Sequence, residues 1–71
     1  MKKLNENDVE LIKQLCTDLS IKEIADLNNR KSADIQNHIY RIGFKLRSRG
    51  RHRIILMALK KRLINLKNLN L

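Results

Sequence analysis

Four polar side chains lie close together in this sequence: Gln36, Asn37, Tyr40 and Arg41. Residues three or four positions apart share one face of a helix, so a helix through this stretch would present all four in one direction. Asparagine and glutamine form paired hydrogen bonds with adenine edges, arginine does so with guanine, and an aromatic ring contacts the thymine methyl group. The row is a candidate reader of bases in the major groove. The alternative is the solvated face of an amphipathic helix, which is what most polar stripes are.

The positive charge of the chain is concentrated in its second half. No acidic residue follows Asp34, ten of the sixteen lysines and arginines lie in residues 41–67, and the formal net charge is +9. A surface of one sign attracts a polyanion and contributes little to a fold. We therefore expect a phosphate-rich partner. Residues 41–62 also carry enough charge to bind RNA or an anionic membrane, but a membrane-surface peptide does not require the short capped helix predicted after Ser20.

The length of 71 residues indicates one domain, residues 1–71, with a core at about 4–60 and a helical or partly disordered tail at 61–71. A core of this size is marginal, which favours dimerisation. The single cysteine, Cys16, suits a small core position, and it and the lack of a secretory signal favour a reducing compartment. The longest apolar run, residues 54–59, is too short to span a bilayer. We expect a cytoplasmic, nucleoid-associated protein without membrane contact.

Helices are the elements expected to position these residues. The sequence contains no proline and only two glycines, so little interrupts helical periodicity, and we predict an all-α fold. The first helix is predicted at about residues 6–17, where Asn5 and Asp8 have the spacing of a capping box. The second is predicted to follow Ser20, with Glu23 completing a second capping box.

The third and fourth helices carry the apolar stripes. The third is predicted to begin with Ser32 as its N-cap and Asp34 near the positive helix end, and the fourth to run from about Arg51 to about Leu66. Leucines of the fourth are spaced as in a short coiled coil, which would enlarge a dimer interface. The stripe of the third helix comprises Ile35, Ile39, Ile42 and Leu46, and the leucine seam comprises Leu56, Leu59, Leu63 and Leu66.

Two residues of the third helix are unusual. Gly43 lies inside the predicted helix, where glycine costs about 1 kcal/mol relative to alanine, and it would permit close approach of another backbone segment. Phe44 falls on the same side as Asn37 and Tyr40, away from the apolar stripe. Two interpretations of Phe44 stay open: it packs under residues 47–50 or against a partner subunit, or it contacts a base or sugar.

Five short stretches of the chain match the sequence pattern of a known protein family in their order and spacing. They read Leu4-Asn5 with Asp8, Leu19-Ser20-Ile21-Lys22-Glu23-Ile24-Ala25, Ile35-Gln36-Asn37-His38, Lys45-Leu46 and Arg51. On these residues the sequence resembles the LuxR/GerE-type helix-turn-helix DNA-binding domain, without gaps over about three-quarters of the chain. The resemblance implies a four-helix domain in which helix three enters the major groove and helix four pairs with its copy in a twofold dimer.

The resemblance also implies roles for single residues. It assigns base contacts to Gln36, Asn37 and Tyr40, and it places His38 and Lys45 against the phosphate backbone. Neighbouring basic residues, and a serine that replaces the usual family cap, complete the predicted contacts. The predicted phosphate-contacting residues are Lys22, Lys31, Ser32, His38, Lys45, Arg47 and Arg49, and the predicted dimer interface is Ile55, Leu56, Leu59 and Leu63.

The sequence therefore predicts a stand-alone transcriptional regulator that binds double-stranded DNA sequence-specifically as a homodimer. The alternative is a protein-interaction module that binds another regulator through helix four and modulates its DNA binding. RNA polymerase is a further candidate partner. No nucleophile-and-base pair, phosphate loop or metal-ligand spacing occurs, so we expect neither an enzyme nor a bound cofactor or metal.

Overall fold

The computed structural model describes residues 4–65 and contains four helices and no strand within them. Helix α1 spans Glu6–Leu15, α2 spans Ile21–Leu27, α3 spans Ser32–Leu46 and α4 spans Arg51–Lys60. The predicted all-α fold is confirmed. None of the helices in this part of the chain is long and apolar enough to cross a membrane.

Capping boxes begin α1 and α2, as predicted. The Asp8 backbone N–H donates to the Asn5 side chain at 2.8 Å, and the Asn5 N–H donates to the Asp8 carboxylate at 3.1 Å. Ser20 and Glu23 exchange the equivalent bonds at 3.1 and 3.0 Å. Each pair provides acceptors for two backbone N–H groups that an uncapped helix start leaves without partners. These local sequence signals therefore determine where both helices begin.

Helix α3 begins without a side-chain cap. Lys31 is the N-cap residue, and its carbonyl oxygen accepts from the N–H groups of Asp34 and Ile35 at 3.0 and 3.1 Å. The prediction that Ser32 caps this helix is wrong, because Ser32 is already its first helical residue. A lysine side chain has no acceptor with which to replace that cap. Asp34 does lie in the first turn, where its charge favours the positive helix end.

Helix α4 ends at Lys60, earlier than predicted. Arg62 adopts a positive φ of 59°, and the Leu63 N–H donates to the Ala58 carbonyl at 2.9 Å, which closes the helix end. The turn returns the chain to the core, where Ile64 is buried and Leu63 is half-buried. The predicted continuation to about Leu66 is therefore wrong, and Leu63 is not on the helix; Leu66 itself lies outside the described residues.

Every helix contributes a fully buried isoleucine to the core. Cys16 is also buried, as predicted, and burial raises the pKa of its thiol. The apolar stripe predicted for α3 faces this core, with Ile39 half-buried and the other three members buried. The isoleucines are Ile12, Ile24, Ile35, Ile42 and Ile54.

Arg51 joins the start of α4 to the segment between α1 and α2. Its guanidinium donates to the carbonyl oxygens of Leu15, Thr17 and Leu19 at 2.9, 2.8 and 2.8 Å. These charge-assisted bonds satisfy the Leu15 carbonyl at the end of α1 and two carbonyls of the segment that follows it. This single side chain therefore fixes the start of α4 relative to α1 and to the segment that leads into α2.

Gly43 is the site of a close backbone approach, as the sequence indicated. The Ser48 N–H donates to the Gly43 carbonyl at 2.8 Å, after a left-handed residue, Arg47, ends the helix. A Cβ atom at position 43 would collide with the Ser48 carbonyl oxygen. The missing side chain thus allows residues 47–50 to fold back over the end of α3.

Candidate nucleic-acid interface

The outer face of α3 presents the predicted base-reading row to solvent. Gln36, Asn37, Tyr40 and Arg41 are all exposed. None of these side chains has a hydrogen bond or ion pair within residues 4–65, so their donors and acceptors are available to an external ligand. We call this row, together with Phe44 one turn further along, the α3 outer face.

The turn that leads into α3 is fastened to both preceding helices. Asn28, the last capping position of α2, donates its side-chain amide to the Gln14 side chain at 2.8 Å and to the Ile24 carbonyl at 2.6 Å. Asn29 adopts a positive φ of 54°, and the Arg30 N–H donates to the Ala25 carbonyl at 2.9 Å. Asparagine tolerates this left-handed geometry better than most residues. The bonds fix the angle between α2 and α3, and through it the direction of the α3 outer face.

A buried charge cluster holds the inner side of α3 against α1. Asp8 is only 3% exposed, and its two carboxylate oxygens contact His38 Nε2 at 2.7 Å and Lys45 Nζ at 2.6 Å. Arg30 Nη1 lies 3.1 Å from His38 Nδ1. Because a guanidinium only donates, Nδ1 accepts, and the ring proton on Nε2 is donated to Asp8. We call these four side chains the Asp8 cluster.

The Asp8 carboxylate is held in its charged form. Burial by itself raises the pKa of Asp8, but hydrogen bonds from Lys45, His38 and the Asn5 backbone, with the charge of Lys45, lower it further than burial raises it. The pKa of Asp8 therefore lies below its ordinary value. Through its bonds to His38 and Lys45, the Asp8 carboxylate links the middle and the end of α3 to the start of α1.

This cluster places His38 and Lys45 differently from the prediction. His38 is buried with both ring nitrogens bonded, so its position does not fit the predicted phosphate contact. Lys45 is half-buried and its ammonium group is paired with Asp8. The sequence did not predict the roles of Asp8 and Arg30 in this cluster: Asp8 indicated only a capping box, and no role was predicted for Arg30.

Four of the five other predicted phosphate contacts lie beside the two ends of α3. Lys31 is exposed at the start of α3 and Ser32 is half-buried beside it, while Arg47 and Arg49 are exposed just beyond the helix end. A helix of 15 residues is about 22 Å long, so these groups bracket the reading row from both ends. Lys22 is exposed on the second helix.

The surface of α4 retains apolar groups that the core does not cover. Leu56 is 62% exposed, and Ile55 and Leu59 are half-buried. They line one side of an open groove of about 440 Å³ whose other side includes Leu15 and Cys16 of the α1 end. Three of the four predicted dimer-interface residues thus share this surface, while Leu63 lies past the helix end.

No protein-family model matches the chain, and comparison with curated proteins and with solved structures found no significant match. Residues 4–65 contain no group of three or more histidine, cysteine or acidic side chains able to hold a metal ion. The sequence and the geometry of the α3 outer face are therefore what indicates a function for this chain.

Proposed function

We propose that the protein is a sequence-specific, double-stranded DNA-binding transcriptional regulator with a LuxR/GerE-like helix-turn-helix, acting as a homodimer. The observation that carries the proposal is the α3 outer face: an exposed row of amides, phenol and guanidinium with no hydrogen-bond partner among residues 4–65. Its helix is fixed from behind by the core and by the Asp8 cluster. A rigid helix with free hydrogen-bonding groups is what major-groove reading requires.

The charge distribution supports the same assignment. Exposed basic residues lie at both ends of the reading row, and no acidic residue follows Asp34 in the chain. Arginine and lysine at these margins would neutralise phosphates on either side of a groove and release counterions. Phosphate contacts supply affinity and register, while the α3 outer face supplies discrimination between sequences.

Selection of binding sites from a random duplex pool at near-physiological salt tests this proposal, and an Asn37→Ala variant tests its reader. We expect an inverted-repeat motif, at which Asn37→Ala relaxes the preference at particular base pairs by about 1–3 kcal/mol. Equilibrium binding to the selected duplex and to single-base variants of it measures this loss of discrimination.

Arg49→Ala is the matched control for Asn37→Ala, because Arg49 is exposed outside the reading row and should weaken binding to all sequences alike. Lys45→Ala is unsuitable because it also breaks the pair with Asp8. If Asn37→Ala lowers affinity equally for every sequence, Asn37 is not a base reader. Failure to enrich any motif would count against sequence-specific recognition as a whole.

The proposed dimer surface on α4 is tested by Leu56→Glu. A charge in the centre of an apolar interface loses its hydration without a partner, so we expect the variant to sediment as a monomer at concentrations where the parent protein is a dimer. Leu27→Glu is a closely matched control, since Leu27 is 63% exposed on α2. An unchanged sedimenting mass for Leu56→Glu would show that the interface lies elsewhere.

The exposed apolar surface of α4 also favours a second candidate function, a module that binds another regulator and modulates its DNA binding. Leu56 and the groove beside it would then receive a helix of a different chain. This candidate predicts weak binding to every duplex in the selection and tight heteromeric binding that Leu56→Glu abolishes. Strong motif enrichment by the protein alone would argue against it.

A further inference from the structure

Both aromatic residues of the chain lie on the α3 outer face. The sequence contains one tyrosine and one phenylalanine and no tryptophan. Tyr40 is 72% exposed and Phe44 is 78% exposed, although the same helix fully buries Ile35 and Ile42. The interpretation that Phe44 packs under residues 47–50 is therefore wrong. Two neighbouring exposed rings on one helix face form an apolar patch of the kind that marks an interaction surface.

The spacing of the two rings makes them a pair. Tyr40 and Phe44 are four positions apart, so they are neighbours on the helix surface. Tyr40 lies one turn along from Gln36 and Asn37, and Phe44 lies two turns along. Phe44 has no hydrogen-bonding group, and its ligand must therefore offer it an apolar atom. Among the base edges exposed in the major groove, the apolar group is the C5-methyl of thymine.

The amides next to the rings favour the same base pairs. Gln36 and Asn37 are suited to the adenine N6 and N7 positions, and every adenine is paired with a thymine. Extending the proposed function, on which this inference rests, we propose that the α3 outer face recognises A·T base pairs by combining amide contacts to adenine with contacts of Tyr40 and Phe44 to thymine methyl groups. Phe44 is then a specificity-determining residue.

The geometry is compatible with two separate methyl contacts. The helical rise between Tyr40 and Phe44 is about 6 Å, close to two base steps of about 3.4 Å for a helix that lies along the groove. RNA is disfavoured as the ligand, because it has uracil instead of thymine and its major groove is too narrow for side chains to read. Arg47 and Arg49 are exposed just beyond the helix end that carries Phe44 and complement phosphates, which favours a nucleic acid over an apolar protein partner.

Deoxyuridine substitution tests the inference, because it removes only the methyl group of thymine. Each thymine of the selected duplex is replaced singly, and affinity is measured at constant salt. We expect substitution at one or two positions to weaken binding by the parent protein about three- to tenfold, because each substitution removes one buried methyl contact. At one of these positions, Phe44→Ala should bind the thymine duplex and the deoxyuridine duplex with equal affinity. The four affinities form a double-mutant cycle that isolates the interaction between the ring and the methyl group.

Leu27→Ala is the control variant, since Leu27 is an exposed apolar residue of α2, outside the α3 outer face, and should retain the full sensitivity to deoxyuridine. Circular dichroism confirms that Phe44→Ala remains folded, as expected for a side chain outside the core. A selected motif that tolerates deoxyuridine at every position, or equal sensitivity of Phe44→Ala and the parent protein, would overturn this inference and leave the proposed function standing. Absence of any selected motif would overturn both.

Discussion

Replacement of Asp8 by asparagine is expected to lower the free energy of unfolding by about 3 kcal/mol, since removing one member of a buried ion pair leaves its partners uncompensated. This loss of stability is at the lower end of the usual range because the Lys45 side chain is 20% exposed and its ammonium group can regain some hydration. His38 is only 8% exposed and loses the charged acceptor of its Nε2 proton. For a domain with a marginal core, this is a large fraction of the total stability.

Urea denaturation of the parent protein, Asp8→Asn and Glu10→Gln measures this effect. Glu10 is an exposed acid on the same helix, and its neutralisation should change stability by less than about 0.5 kcal/mol. If the two variants are equally stable, the Asp8 cluster does not hold α3 against α1.

The pH dependence gives an independent check on Asp8. Its pKa is lowered in the folded protein, so the unfolded chain binds the proton more readily, and the stabilisation is present above the ordinary value of 3.8. It is lost as the pH falls through the lower folded-state pKa. We therefore expect the stability difference between the parent protein and Asp8→Asn to be constant near neutral pH and to shrink below about pH 4.

Gly43→Ala is expected to destabilise the protein by about 2 kcal/mol, although alanine is the better helix former by about 1 kcal/mol. The reason is the collision of the new methyl group with the Ser48 carbonyl oxygen, a backbone atom that cannot move aside without shifting residues 47–50. The same shift would break the Ser48 to Gly43 hydrogen bond. The expected sign is therefore opposite to that given by helix propensity.

Thermal and urea unfolding of Gly43→Ala measures this sign, and Asn37→Ala on the same helix serves as the control. Asn37 is exposed, so alanine there should leave stability unchanged or raise it by a few tenths of a kcal/mol. A Gly43→Ala variant more stable than its parent would show that residues 47–50 can shift at little cost in free energy. The close approach of Ser48 would then not constrain this position.

Local signals in the sequence determined the helices that begin with capping boxes and the composition of the core. Ser20 with Glu23 and Asn5 with Asp8 act over three residues, so no distant contact is needed to specify them. The apolar stripe of α3 predicted its buried side, and the exposure of the α3 outer face follows from the same periodicity. The close backbone approach at Gly43 was likewise predictable from the sequence, because a glycine inside a helix lowers helix stability and often has a packing role.

Only the tertiary structure decided which charged groups turn inward. A lysine or histidine on a helix has the same local signature whether it meets solvent or a carboxylate, and the partners of Asp8 lie 30 and 37 positions away in the sequence. The end of α4 was decided in the same way, by burial of Ile64 against the other helices in place of a continued leucine seam. Helical periodicity describes one helix at a time, whereas the free energy of burying a charge or a side chain depends on what the other helices place beside it.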